Sequence, residues 1–173
     1  EKSQDNIDGM EELIFASTSI KTMFDTLLTE GRRIFNMDVI TVCLDPSFRE
    51  HYPEEYKSNG NSVFLESDNI TFTKLGKFVP LFGGLGEPVI RGGLKSGAGE
   101  FFPNGLSRKI RSEALMPLRC GNRLAGMVGF GSSNGTRFHE GQGPRFLKRL
   151  SRSLSMKMEL FEALAANGTK IDV

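Results

Sequence analysis

Residues 111–132 read Arg111-Ser112-Glu113-Ala114-Leu115-Met116-Pro117-Leu118-Arg119-Cys120-Gly121-Asn122-Arg123-Leu124-Ala125-Gly126-Met127-Val128-Gly129-Phe130-Gly131-Ser132. Two apolar runs, Glu113 to Leu118 and Leu124 to Gly131, flank a Cys-Gly-Asn turn. Gly121-Asn122 supplies the positive φ that a tight hairpin needs, so the stretch predicts two antiparallel strands, the second with glycines on one side. A polar loop follows and ends in Arg137-Phe138. From about Pro144, a residue suited to the first turn of a helix, Leu147, Leu150, Leu154, Phe161 and Leu164 recur at helical seam spacing until Asn167-Gly168 stops them.

Working back toward the start, Asp8 with Glu11 three positions on predicts a capping box. Behind it, Leu13, Ala16, Ile20, Met23, Leu27 and Ile34 predict one helix ending near Asn36, with Phe24 and Leu28 widening its apolar stripe. Asp38 to Leu44 is β-branched and apolar, a central strand, which Asp45-Pro46 breaks. Residues 47–58 suggest a short helix. Ser62 to Glu66 and Ile70 to Thr73 suggest short strands, Lys74 to Phe82 a short helix, and Val89 to Arg91 a further short strand. Seven glycines between Gly83 and Gly99 predict a mobile loop that gates a pocket. The elements sum to an α+β domain: a mostly antiparallel sheet of about five or six strands, with the N- and C-terminal helices on one face and short helices and loops on the other. The expected boundaries are an N-terminal extension at 1–10, the domain at 11–166 and a tail at 167–173.

Composition bounds the function classes. The chain has 173 residues, 38% hydrophobic and 25% charged, with a net charge of +1. No global field recruits nucleic acid or an anionic membrane, so neither is expected as a partner. No apolar run approaches the roughly 20 residues of a spanning helix, and the first residues lack the pattern of a signal peptide. Two cysteines, Cys43 and Cys120, are too few for a disulfide framework and suit a cytoplasmic protein. Cys43 alternates within a strand as a buried thiol, while Cys120 at the hairpin turn is the more exposed of the two.

The last third resembles the closing half of a GAF domain, and more narrowly the bacterial GAF-like family known as DUF484. The resemblance rests on Glu87-Pro88-Val89-Ile90-Arg91-Gly92, Phe101-Phe102, Ser112-Glu113-Ala114-Leu115-Met116-Pro117-Leu118, and Gly131-Ser132-Ser133-Asn134-Gly135-Thr136-Arg137-Phe138-His139. Asn134 stands where that family usually has Asp, and Gln142-Gly143-Pro144-Arg145-Phe146-Leu147 where it has Met-Gly-Thr-x-Phe-Leu. The resemblance implies a sensory or regulatory binding module and names no ligand. The Asn-Lys-Phe-Asp-Glu signature of cyclic-nucleotide GAF domains is absent, as is a phytochrome-type attachment context around either cysteine.

Catalytic motifs do not assemble. Gly131-Ser132-Ser133-Asn134-Gly135 fits the formula of a nucleophile elbow, but a polar loop intervenes where the elbow needs a helix, and His139 follows too closely. The glycines of 83–99 match neither a dinucleotide fingerprint nor a P-loop. His51 and His139 have no partner at metal-ligand spacing, and no cofactor is expected. Arg145, Lys148, Arg149, Arg152 and Lys157 make the last helix basic, which reads as a solvated face. The ranked expectation is a non-catalytic domain that takes an unidentified small molecule between the sheet and the 46–103 segment. Arg91, Ser112 and Glu113 would orient the ligand against a wall of Phe78, Phe82, Phe101 and Phe102. The seam spacing on both terminal helices predicts that two copies dimerise through them. A ligand-free dimerisation or protein-interaction module ranks second, and a small hydrolase at the Gly131–Gly135 turn third.

Overall fold

The computed structural model describes residues 2–48, 69–77, 79–82, 86–95, 100–139 and 145–166. In chain order they form helices α1 (Lys2–Ala16) and α2 (Ile20–Phe35), strands β1 (Val39–Leu44) and β2 (Ile70–Phe72), a 3-10 turn (Leu75–Lys77) and the short helix α3 (Val79–Phe82). Next come β3 (Val89–Arg91), the short helix α4 (Asn104–Ser107), β4 (Ser112–Cys120), β5 (Arg123–Ser132) and the long helix α5 (Arg145–Ala166). The strands form one sheet in the order β2-β1-β5-β4-β3. Only the β1–β2 pair is parallel, and the three other pairs are antiparallel. The expected hairpin is β4–β5, in which Gly121 takes a φ of 61°.

The N-terminal region departs from the expected single helix. Ser17, Thr18 and Ser19 offer the backbone side-chain partners that compete with helix continuation. The Ser17 hydroxyl donates to Ile14 O at 2.5 Å, closing α1. Ser19 then caps α2: its Oγ accepts from Thr22 N at 3.1 Å, and Ser19 N donates back to Thr22 Oγ1 at 3.0 Å. Asp8 and Glu11 form no capping box. Their three-residue spacing puts both acids on one side of α1, where Arg149 Nη2 of α5 donates to each at 2.6 Å. Helix α1 also takes in most of the expected N-terminal extension, since Ile7 and Met10 are buried in the core. Asn36 ends α2 in the left-handed region at φ 52°.

Strand alternation divides the sheet into two faces. On the inner face, Ile40, Val42 and Leu44 of β1, Ala114, Met116 and Leu118 of β4, and Val128 and Phe130 of β5 pack with the buried sides of α1, α2 and α5. Phe35, Phe130 and Phe146 group there with ring centroids 5.2–6.2 Å apart. The leucines that predicted a dimer seam on α5, Leu147, Leu150 and Leu154, are buried in this core instead. What the terminal helices leave outside is Phe15, Met156 and Leu160, about half exposed, and Leu13 at 36%. The expected helix over 47–58 and strand at Ser62 to Glu66 lie almost wholly outside the described residues, as do Gly83–Leu85, Ser96–Gly99 and the 167–173 tail.

Candidate functional site

The outer face of the sheet is built in three cross-strand rows. Arg91, Glu113, Gly131 and Val39 lie side by side, then Val89, Leu115, Gly129 and Thr41, then Pro117, Met127, Cys43 and Thr71. Above them a second, smaller core gathers Phe82, Phe102 and Ile110 with Val39, Cys43, Leu115 and Met127. Two of the three β5 glycines, Gly129 and Gly131, make room for this cover. A Cβ on Gly131 would stand 2.7 Å from Ile110 Cδ1 and 2.9 Å from Phe102 Cε1, and one on Gly129 would stand 3.2 Å from Phe102 Cζ. Phe102 therefore rests directly on glycine backbone, which the alternating glycines in the sequence permit but do not by themselves reveal.

Beside Phe102 lies a cavity of about 340 Å³. Its floor is Cys43 of β1 and Thr71 of β2, followed by Thr73; Phe101, Phe102 and Pro103 form an apolar wall, and Lys77 and Glu100 bring in opposite charges. Thr71 Oγ1 donates to Cys43 Sγ at 3.3 Å. Burial pushes the Cys43 thiol above its ordinary pKa, with the threonine hydroxyls pulling the other way. The group is a neutral, weakly polar surface patch rather than a thiolate nucleophile.

Arg91 and Glu113 form an ion pair two sheet rows away from this floor. Arg91 Nε donates to Glu113 Oε2 at 2.7 Å, and Nη2 reaches the same oxygen at 2.5 Å. The Glu113 side chain is 0% exposed and that of Arg91 34%. Glu113 Oε1 is buried and has no hydrogen-bond partner. Burial raises the Glu113 pKa, Arg91 works against the rise, and the Glu100 carboxylate adds to it. Arg91 was expected to orient a ligand; in the structure its partner is Glu113, while Glu87 meets Lys148 at 2.8 Å.

The other predicted site residues divide. Phe101 and Phe102 line the cavity, and Phe82 is buried in the cover above the same face. Phe78 lies outside the described residues. Ser112 does not join Glu113, because neighbouring residues of a strand face opposite ways. Its hydroxyl donates to Asn134 O at 2.6 Å and accepts from Phe138 N at 3.3 Å, holding the loop after β5. Sequence reasoning missed Thr71, Thr73, Lys77 and Glu100. Single polar residues in short irregular segments carry no periodic signal; only the parallel β1–β2 pairing sets Thr71 beside Cys43.

Two other candidates are accounted for. In the Gly131–Gly135 turn, Ser132 Oγ accepts from Asn134 N at 3.1 Å, while Ser133 N and Oγ donate to Asp38 Oδ2 at 2.6 and 3.0 Å. The backbone N–H of Ser133 is the largest cause holding Asp38 below the usual carboxylate range. The turn is thus a tie between β5 and the start of β1. Cys120 is not exposed at the hairpin: it is 6% accessible, and burial, with Glu162 alongside, pushes its pKa up to about 12. Among the described residues no group of three or more His, Cys, Asp or Glu could hold a metal ion. Nor is any described helix long and apolar enough to cross a membrane.

No protein-family model matches the chain, and no curated protein does. Solved structures do. The GAF domain of the phosphoenolpyruvate-protein phosphotransferase of Acinetobacter is 17% identical, covers 97% of this chain and 98% of its own, and superposes with a TM-score of 0.61. The GAF domain of a phosphoenolpyruvate-protein phosphotransferase from Coxiella burnetii is 11% identical over 96% of each chain, with a TM-score of 0.64. Free methionine-R-sulfoxide reductase from Neisseria meningitidis, solved in complex with its substrate, is 15% identical over 93% of this chain and 90% of its own, with a TM-score of 0.59. At such identities the likeness is one of fold, and the chain has that fold: a GAF-like α+β domain built on a five-stranded, mostly antiparallel sheet.

Proposed function

We propose that this chain is a non-catalytic sensory or regulatory domain that takes a small molecule on the outer face of its sheet. The observation that carries this reading is the cavity of about 340 Å³ over Cys43, Thr71 and Thr73, walled by Phe101 and Phe102. Its size falls at the small end of ligand sites, and its few polar groups on an apolar wall match how such sites recognise ligands. Two of the neighbours named above are GAF domains of phosphotransferases, and a third is an enzyme solved in complex with its substrate. Both argue by analogy for a binding module on this fold. The bacterial DUF484 family, with which residues 87–164 share their motifs, is the affiliation we favour. The two unpaired cysteines suit a cytoplasmic setting.

The test is direct. Native mass spectrometry of the gently isolated protein, followed by nuclear magnetic resonance with a fragment library, should yield a small molecule that shifts the Thr71, Thr73 and Phe101 amides saturably. Thr73→Phe, which fills the cavity, should abolish those shifts. A library that leaves the three amides unmoved would overturn the reading.

A second reading has its own observation. Phe15 of α1 and Met156 and Leu160 of α5 are large apolar side chains about half exposed. They favour two copies pairing through the outer sides of the terminal helices, with or without a ligand. On a GAF-like fold the two readings are compatible: a ligand bound between sheet and cover would bias the packing of the helices beneath and hence the pairing.

A further inference from the structure

We infer that the ligand of the outer-face cavity is a zwitterion of the free α-amino acid class; the inference rests on the binding role proposed above and adds the chemistry of the occupant. Among the described residues the cavity walls carry one ammonium, Lys77 Nζ, and one carboxylate, that of Glu100. Both belong to exposed residues, and among the described residues no ion pair joins them. Each therefore remains available to a partner of opposite charge that enters the cavity. A ligand with a single charge would satisfy one of them and bring its charge close to a like charge on the other. A ligand carrying both charges satisfies the two together and brings no net charge into the cavity.

The remaining lining agrees. The Thr71 and Thr73 hydroxyls can donate or accept beside a carboxylate or an ammonium. Phe101, Phe102 and Pro103 offer an apolar wall to an aliphatic or aromatic side chain, and a phenyl face tolerates a nearby ammonium. The volume of about 340 Å³ suits a molecule of amino-acid size rather than a nucleotide or a tetrapyrrole. The Cys43 thiol on the floor, neutral through burial and already accepting from Thr71, presents a soft, uncharged surface.

The experiment titrates the full chain at pH 7.5 with a panel of L-amino acids from alanine to phenylalanine, by calorimetry and by melting temperature. The tightest binder is then compared with its decarboxylated amine and its deaminated acid. The expected result is saturable binding of an apolar amino acid, a melting temperature raised by several degrees at high ligand excess, and binding of the amine and the acid weaker by tenfold or more. Lys77→Gln should weaken the amino acid about ten- to a hundredfold while binding the amine as well as or better than the parent, and Glu100→Gln should likewise weaken the amino acid while binding the acid as well or better. Both positions are exposed, so the melting temperatures of the free variants should stay at that of the parent. Equal binding of the amine or acid, or indifference to both substitutions, overturns the amino-acid assignment and leaves the cavity a ligand site of another class. If none of these probes binds, the assignment is likewise overturned; the binding role falls as well only if the fragment library and the native protein also show an unoccupied, unresponsive cavity.

Discussion

Glu113 holds the least comfortable polar atom among the described residues. Its carboxylate lies wholly inside the outer-face cover, Arg91 serves one oxygen, and the other has no partner. A buried ion pair is weak evidence for net stability, but breaking one leaves a charge without compensation. Arg91→Ala should therefore destabilise the fold by about 3 kcal/mol at pH 8, the low end for such pairs because Arg91 keeps partial access to water. This is several times the cost of losing a surface pair. The pH dependence has a definite sign. With the folded pKa of Glu113 raised by burial, the folded state holds the proton more tightly than the unfolded chain. Its contribution is most favourable below the ordinary carboxyl value and declines as pH rises through the raised one. Removing Arg91 removes what opposes the rise, so the Arg91→Ala deficit should shrink between pH 8 and pH 5. Urea midpoints at the two pH values check this, and an equal deficit at both would show that Glu113 does not titrate in that window.

At the scale of elements, the glycines of β5 and the cap of α2 bear the arrangement. A Cβ on Gly126 would stand 2.3 Å from Cys43 O, a backbone atom that cannot step aside without disturbing the β1–β5 ladder. At Gly131 the nearest atoms are the side-chain ends of Ile110, Val39 and Phe102. Gly131→Ala should cost about 1–3 kcal/mol as an overpacking change, and Gly126→Ala more than that. Thermal unfolding of the two variants tests the order. Gly131→Ala should in addition move Phe102 and alter the cavity amides in nuclear magnetic resonance, whereas a reversed order would show that the side chains are held more rigidly than the ladder. Ser19→Ala should lower stability by about 1 kcal/mol, because the hydroxyl that accepts from Thr22 N is lost while the backbone bond to Thr22 Oγ1 remains. Since Ile20, Met23, Phe24 and Leu27 all depend on that helix start for their place in the core, the loss should appear in global unfolding and not only as fraying.

For the whole molecule, one sheet separates two unequal cores. The inner one is deep and closed by α1, α2 and α5, with Arg149 tying α5 to Asp8 and Glu11 of α1. The outer one is shallower and contains the cavity. If copies pair through the terminal helices, Met156→Glu with Leu160→Glu should convert a dimer to a monomer in light scattering. The melting temperature at low concentration should barely change, since both side chains are already about half in water. A monomeric parent at high micromolar concentration would count against the pairing.

The hairpin, the start of β1 at a β-branched run and the long last helix were legible from sequence because they rest on local rules: a positive-φ turn residue, pleat alternation, and 3.6-residue periodicity. The split of the first helix was also locally encoded, in Ser17 and Ser19, but a continuous apolar spacing across the break conceals it. Asp8 and Glu11 show the limit of local reading, since the same spacing serves a capping box or two bonds to Arg149, and only the docking of α5 chooses. So it is with the seams: periodicity says that Leu147, Leu150 and Leu154 share a side of the helix, not whether a sheet or a second copy covers it. The site depends still more on tertiary structure. Arg91 meets Glu113, and Cys43 meets Thr71, through strand pairings 22 and 28 residues apart in sequence. Sequence determined the periods and the turns of this protein, because those arise between near neighbours in the chain; the tertiary structure decided the partners of its polar side chains, because a hydrogen bond or ion pair depends on a few ångströms of separation that only the register of the sheet sets.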